Sequence, residues 1–112
     1  MSRVDKIVEI IEEARREAER TNEWQSVTLV NIDDYKLLLN ITPGGKNLTL
    51  ILQAPKPTNR FVIRNTEVAR TVTEVLQRFI ADRELTAAVD KVLEKYGYVA
   101  RKKPRKKYYV IE

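Results

Sequence analysis

Apolar residues recur at helical spacing near the start of the chain. Those on one side of the helix are Val4, Ile7, Val8, Ile11, Ala14 and Ala18. Such spacing predicts an amphipathic helix whose apolar side covers the core. Ser2, with Asp5 three residues later, resembles a capping box, and we expect the helix to end near Arg20. On the charged side, Glu12 and Arg16 are spaced for an ion pair.

The middle third of the chain predicts strands. Residues 27–32 are β-branched and apolar, and residues 35–41 and 48–53 alternate in the period of a half-buried strand. A short fourth strand is predicted at residues 60–64. Because the connections are short, we expect an antiparallel meander of three to four strands with one face covered by helix.

Turn signals separate these strands. Asp33 and Asp34 supply the first turn. Gly44 and Gly45 supply the second, because paired glycines permit the positive φ of a tight hairpin. Residues 54–59 contain two prolines and break the strand pattern.

Two further helices are predicted after this break. Asn65 or Thr66 can cap the first, and Asp82 ends it or caps its successor. Gly97 is a suitable residue just beyond the end of the second helix. The apolar positions of the two helices are Val68, Val72, Val75, Leu76, Phe79 and Ile80, then Leu85, Val89, Val92, Leu93 and Tyr96. We expect Tyr96 to face the core.

The last segment predicts a basic β-hairpin. Residues 98–100 and 108–111 are β-prone, and they flank a run of basic residues. The fold class is therefore α+β, in one domain over residues 1–112. A division into residues 1–54 and 60–112 is the alternative.

The composition excludes most catalytic chemistry. The 112 residues contain no histidine and no cysteine, which removes the usual general base, thiol nucleophiles and the commonest metal ligands. Asp33 and Asp34 could hold a hard cation, but adjacent carboxylates on a turn are usually solvated. The glycines before Lys46 lack the spacing of a phosphate-binding loop. We expect no enzyme activity, no cofactor and no metal site.

The positive charge of the chain is concentrated near its C-terminus. Of 21 basic residues, six lie between positions 101 and 107, and residues 1–100 balance 15 basic against 15 acidic groups. A local cluster of one sign on a neutral body attracts polyanions such as nucleic acid. Tyrosines flank the run and could stack on bases. The predicted phosphate-contact residues are Arg101, Lys102, Lys103, Arg105, Lys106 and Lys107, with Tyr98 and Tyr108 beside them.

Residues 84–111 resemble the recognition helix and wing of a winged-helix DNA-binding domain. The matching features are Thr86 at the start of a helix, Val89 and Leu93 packing inward, Gly97 at its end, and a basic wing tip. This resemblance implies a helix in the major groove, with Thr86 and Lys91 toward the DNA, and a wing on the phosphate backbone. It favours DNA over RNA and a transcriptional regulator.

Other interpretations stay open. The basic run can also be a solvated turn. Alternatively, it can dock on an acidic protein or on a ribonucleoprotein particle such as the ribosome, and the chain would then be an assembly factor. The apolar strands could also serve a homodimer. No apolar run reaches the ~20 residues of a membrane span, and the N-terminus turns acidic at once, so we expect a cytoplasmic protein without a membrane partner. Scarce Cys and Met with abundant Lys, Glu and Arg are typical of a heat-adapted source.

Overall fold

The computed structural model describes residues 2–55, 63–97, 109 and 111. In chain order the elements are α1 (Arg3–Thr21), β1 (Gln25–Ile32), β2 (Tyr35–Ile41), β3 (Leu48–Gln53), α2 (Thr66–Ala81) and α3 (Arg83–Tyr96). This order confirms the α+β class, with one helix, a three-stranded antiparallel sheet and then two helices. None of the helices in the described ranges is long and apolar enough to cross a bilayer.

Two predicted elements are not among these. The fourth strand at residues 60–64 lies mostly outside the described residues, and Ile63 and Arg64, which are described, belong to no strand. The C-terminal hairpin also lies outside the described residues, apart from positions 109 and 111, which belong to no strand.

The sheet has the order β1-β2-β3, and each neighbouring pair is antiparallel. Leu39 lies opposite Val27 of β1 and Leu50 of β3, which fixes the register on both sides of β2. A bulge shifts the register of β1 between Thr28 and Val30. Such a bulge on an edge strand bends the strand locally and disfavours pairing with another chain.

The two turns of the sheet confirm the predictions from sequence. Asp33 and Asp34 both have positive φ, 50° and 65°, as a two-residue type I′ hairpin turn requires. Gly44 and Gly45 also have positive φ, 87° and 69°. The N–H of Gly45 donates to the carbonyl of Thr42 at 2.8 Å, which closes the turn between β2 and β3.

One continuous core joins the sheet to α1 and α3. Its most buried members are Ile11 and Ala18 of α1, Leu39, Ile41 and Leu48 of the sheet, and Leu85, Val89 and Val92 of α3. Phe79 of α2 packs against the same cluster. Because α1 and α3 both bury apolar residues here, neither helix can shift without exposing the core.

The starts of α1 and α3 are joined by a charged contact. Arg3 donates two hydrogen bonds to the carboxylate of Asp82, at 2.6 and 2.7 Å. Asp82 also caps α3 by accepting from the N–H of Leu85 at 3.1 Å, and its own N–H donates to the carbonyl of Phe79 at the end of α2. The hydrogen bond from Arg3, followed by that from Leu85, lowers the pKa of Asp82 to about 2.

The loop between β2 and β3 packs on the end of α1. Gly44 donates its N–H to the carbonyl of Ala18 at 3.0 Å, which satisfies a carbonyl in the last turn of the helix. A Cβ on Gly45 would lie 2.8 Å from the carbonyl oxygen of Arg15, whereas a Cβ on Gly44 would meet nothing closer than 3.8 Å. Gly45 therefore allows the loop to approach the helix backbone.

We expect Gly45→Ala to lower the free energy of unfolding by about 2–3 kcal/mol, because it combines a positive φ with the overlap at Arg15. Gly44→Ala carries only the cost of positive φ and should lose about 1–2 kcal/mol. Urea unfolding of both variants measures the difference. Equal losses would show that the approach to α1 contributes nothing.

Asp82→Asn should make stability less sensitive to acid. Because its folded pKa lies below the ordinary value of 3.8, ionised Asp82 stabilises the fold above about pH 4, and this contribution is lost as the pH falls toward 2. Asparagine keeps the helix cap but cannot titrate. Melting temperatures between pH 5 and pH 2 should fall less for Asp82→Asn than for the wild type. Asp90→Asn, at an exposed position of the same helix, should follow the wild type.

Candidate nucleic-acid interface

Most of the predicted contact residues lie outside the described part of the chain. This holds for Arg101, Lys102, Lys103, Arg105, Lys106, Lys107, Tyr98 and Tyr108. We call residues 101–107 the basic segment. Thr86 and Lys91, the other two predicted residues, are described and belong to α3. The winged-helix resemblance stays a prediction, because its wing falls in the part that is not described.

The exposed side of α3 has no net charge. Thr86 lies in the first turn, where its hydroxyl donates to the carbonyl of Arg83 at 3.0 Å. Lys91 is exposed to solvent, with the carboxylate residues Asp90 and Glu94 near it in the helix. The whole helix contains three basic and three acidic residues. A positive field near this end of the chain therefore depends on the basic segment and not on α3.

Backbone contacts hold Gly97, the residue that follows α3. Gly97 donates its N–H to the carbonyl of Leu93 at 2.6 Å. Its φ is −63°, so the glycine is not needed for a left-handed conformation. It is needed for space, because a Cβ would overlap the carbonyl oxygen of Leu93. Gly97 also forms a parallel β-bridge with Leu48, at the start of β3.

Four side chains hold the last turn of α3 against α1: Glu12, Arg15, Lys95 and Tyr96. We call them the anchor cluster. The carboxylate of Glu12 accepts from Arg15 at 3.1 Å and from the Tyr96 hydroxyl at 3.2 Å, and Lys95 lies 3.8 Å away. The guanidinium of Arg15 lies 4.6 Å from the centre of the Tyr96 ring, and the ammonium of Lys95 lies 5.0 Å from it.

The anchor cluster is partly shielded from water. Glu12 and Arg15 expose only 16% and 19% of their side chains, so their contact is screened less than a surface ion pair. The hydrogen bond to Glu12 raises the pKa of Arg15, and the contact with Tyr96 raises the pKa of Lys95. The side chains of Arg15 and Lys95 therefore stay positively charged beside the last turn of α3.

Sequence reasoning identified only part of this cluster. The prediction that Tyr96 faces the core is confirmed. The predicted pair of Glu12 with Arg16 is wrong, because Glu12 bonds to Arg15 while Arg16 contacts Glu9 at 3.4 Å. Spacing of i,i+3 allowed the observed pair equally well, and in the structure the guanidinium of Arg15 also lies over the Tyr96 ring.

Two other candidate sites from the sequence are the Gly44–Gly45 loop and the Asp33–Asp34 turn. The backbone N–H groups of Gly44 and Gly45 both donate within the protein, so the loop cannot wrap its amides around a nucleotide phosphate. Within the ranges that the structure describes, no group of three or more carboxylates is placed to hold a metal ion. Asp33 and Asp34 are exposed and form the turn between β1 and β2.

We expect Glu12→Gln to lower the free energy of unfolding by about 1–3 kcal/mol, because it removes the charge that Arg15, Lys95 and Tyr96 share. Glu13→Gln is the matched control, since Glu13 is the exposed neighbour of Glu12 on the same helix, and it should change stability by less than about 0.5 kcal/mol. Urea unfolding compares the two. Equal effects would show that the cluster does not hold α3 in place.

No family model, no curated protein and no solved structure matches this chain. Its function has to be inferred from its own residues.

Proposed function

We propose that this is a small non-enzymatic nucleic-acid-binding protein that contacts phosphates through its basic segment, with DNA favoured over RNA. One observation carries the proposal: six basic residues lie within seven positions of the chain, and the rest has nearly equal numbers of acidic and basic groups. Clustered cations bind polyanions because each phosphate that they neutralise releases condensed counterions.

The charge of the described part supports this assignment. Residues 2–55, 63–97, 109 and 111 contain thirteen basic and fifteen acidic residues, so they provide no positive field of their own. Several of these cations, such as Arg15 and Arg20, bond to glutamates of their own helix. Along the chain, the densest group of cations is the basic segment.

The last described residues before the basic segment are held in place. The anchor cluster holds Tyr96, and the bridge to Leu48 holds Gly97. The preference for DNA, and a role as a transcriptional regulator, depend on the winged-helix resemblance.

A protein-interaction or assembly role is the second candidate. Six large apolar or aromatic side chains of the described residues are more than half exposed: Ile10, Trp24, Ile63, Ile80, Tyr109 and Ile111. Exposed apolar groups of this size favour a protein contact, which includes a homodimer. Light scattering measures whether the protein is a monomer or a dimer. If the protein binds in a ribonucleoprotein complex but has no affinity for free DNA or RNA, an assembly factor is favoured.

We expect the wild type to bind a 20-bp DNA duplex in a salt-dependent way. The logarithm of the binding constant, plotted against the logarithm of the salt concentration, should have a slope of about −4 to −5, the value for roughly four to six phosphate contacts. Replacing Lys102, Lys103, Lys106 and Lys107 together by alanine should reduce the size of the slope by about 3 to 4. Fluorescence anisotropy at several salt concentrations measures both values.

The control removes the same number of charges from the helices, through alanine at Lys6, Arg16, Arg70 and Arg78. Its net charge equals that of the test variant, so a purely global effect of charge would weaken both equally. The proposal predicts a slope near that of the wild type for this control. Equal affinities of the wild type and the test variant would contradict it.

A further inference from the structure

One side of α2 carries apolar residues that the fold leaves uncovered. Val72 and Val75 are buried, and Phe79 packs on the core. Leu76 and Ile80 follow on the neighbouring side of the helix, and they expose 40% and 63% of their surface. Scattered exposed apolar residues are ordinary in a folded protein, but adjacent ones on one side of a helix indicate contact with another molecule.

The exposed pair belongs to a line of residues with the spacing of a helix–helix contact. Its members are separated by four, three and four positions, and they are Ala69, Thr73, Leu76 and Ile80. We call them the α2 seam. Alternating intervals of three and four keep a row of side chains on the side of a helix that packs against a second helix. None of the four is charged, and the ion pair between Glu74 and Arg78, at 3.1 Å, lies on the opposite side of α2.

The polar group within the α2 seam already has a partner. The hydroxyl of Thr73 donates to the carbonyl of Ala69, one turn earlier in the same helix, at 2.8 Å. Burying Thr73 therefore leaves no unpaired side-chain polar atom, and the desolvation cost is small. An apolar partner surface can cover the whole seam.

The side chains of the α2 seam match a second copy of the same seam in antiparallel order. If two such helices pack about a point between Thr73 and Leu76, then Thr73 faces Leu76 of the second copy. In the outer layers, Ala69 faces Ile80 of the second copy. Each layer then combines a small side chain with a large one, which fills the space between the helices. A parallel pairing would instead place Ala69 against Ala69 and Ile80 against Ile80, so that one layer would be empty and another crowded.

The charges beside the α2 seam are compatible with this pairing. Arg70 and Gln77 lie along its margin and are exposed. In the antiparallel pair, Arg70 faces Gln77 of the second copy, whose amide oxygen can accept a hydrogen bond from the guanidinium. The two Arg70 positions are offset along the helices by about 13 Å, nine residues at 1.5 Å each, so like charges do not face each other.

The area of the seam sets the strength of the contact. α2 has 16 residues, so it is about 24 Å long. Two such helices packed side by side bury on the order of 1,000 Å² in total, below the roughly 1,200 Å² of the smallest stable interfaces. This area fits a dimer that forms reversibly at high protein concentration.

We propose that the α2 seam is a homodimer interface, in which α2 packs antiparallel against α2 of a second copy about a two-fold axis between Thr73 and Leu76. This goes beyond the proposed DNA binding, because the contact needs neither DNA nor the basic segment. A closed two-fold contact also limits the assembly to two chains, since each seam is used up by the other.

The first test measures self-association without DNA, by sedimentation velocity from about 10 µM to about 1 mM protein. The wild type should shift from monomer toward dimer over this range. Ile80→Lys should lower the association constant at least about tenfold, because it places a charge in the seam next to Arg70 of the second copy. Ile10→Lys is the matched control, since Ile10 is 56% exposed on α1, and it should associate as the wild type does. Urea midpoints check that both variants fold.

The second test determines the direction of the helices by disulfide formation. The chain has no cysteine of its own, so single introduced cysteines report only the proposed contact. Ala69→Cys mixed with Ile80→Cys should give a cross-linked dimer that contains one chain of each variant, whereas each variant alone should stay largely uncross-linked. Cross-linking of each variant alone would contradict the antiparallel arrangement.

Other results would also overturn the proposal. A wild type that stays monomeric over the whole concentration range excludes the interface. Equal weakening by Ile80→Lys and Ile10→Lys would show that the association does not use the α2 seam. Because DNA is absent from both tests, these failures would leave the proposed DNA binding to be decided by its own salt titration.

Discussion

The packing of α1 beside α3 on one sheet is the constraint on which the other features depend. Both helices bury apolar residues in the same core. They run in the same direction: Arg3 bonds to Asp82 where the two helices start, and Glu12 bonds to Tyr96 at the end of α3. With α3 held at both ends, Gly97 reaches the edge of β3 at Leu48. The position of Gly97, the last described residue before the basic segment, follows from that one arrangement.

Charge has two uses in this molecule. Within α1 and at its contacts with α3, acidic and basic side chains pair with each other, as Glu12 does with Arg15 and Asp82 does with Arg3. Exposed pairs of this kind stabilise the fold little, but a shielded group such as Glu12 holds α3 against α1 more firmly. Residues 98–112, by contrast, contain six basic residues and only one acidic residue. The protein thus separates the charges that organise its fold from those proposed to bind DNA.

Much of the fold could be predicted because its signals are local. The apolar spacing in α1, α2 and α3 reflects which side of each helix is buried. The predicted alternation of β2 and β3 does not match the burial, because Leu37, Leu38 and Leu39 are all buried and Leu50 and Ile51 are both exposed. Asn65 and Asp82 cap their helices as expected, and the Asp33 turn has the predicted position. The candidate site was harder to predict. The chain pattern identified the basic segment, but it favoured Arg16 as the partner of Glu12, where the structure shows Arg15.

The sequence by itself determined the helices, the strands, the turns and the concentration of charge near the C-terminus, because each depends on residues that are neighbours in the chain. Only the tertiary structure decided that Leu48 and Gly97 touch, that Arg15 packs under Gly45, and that Tyr96 bonds to Glu12. These partners are far apart in sequence, and no local preference selects them. They meet because the apolar sides of α1 and α3 are buried together against the sheet.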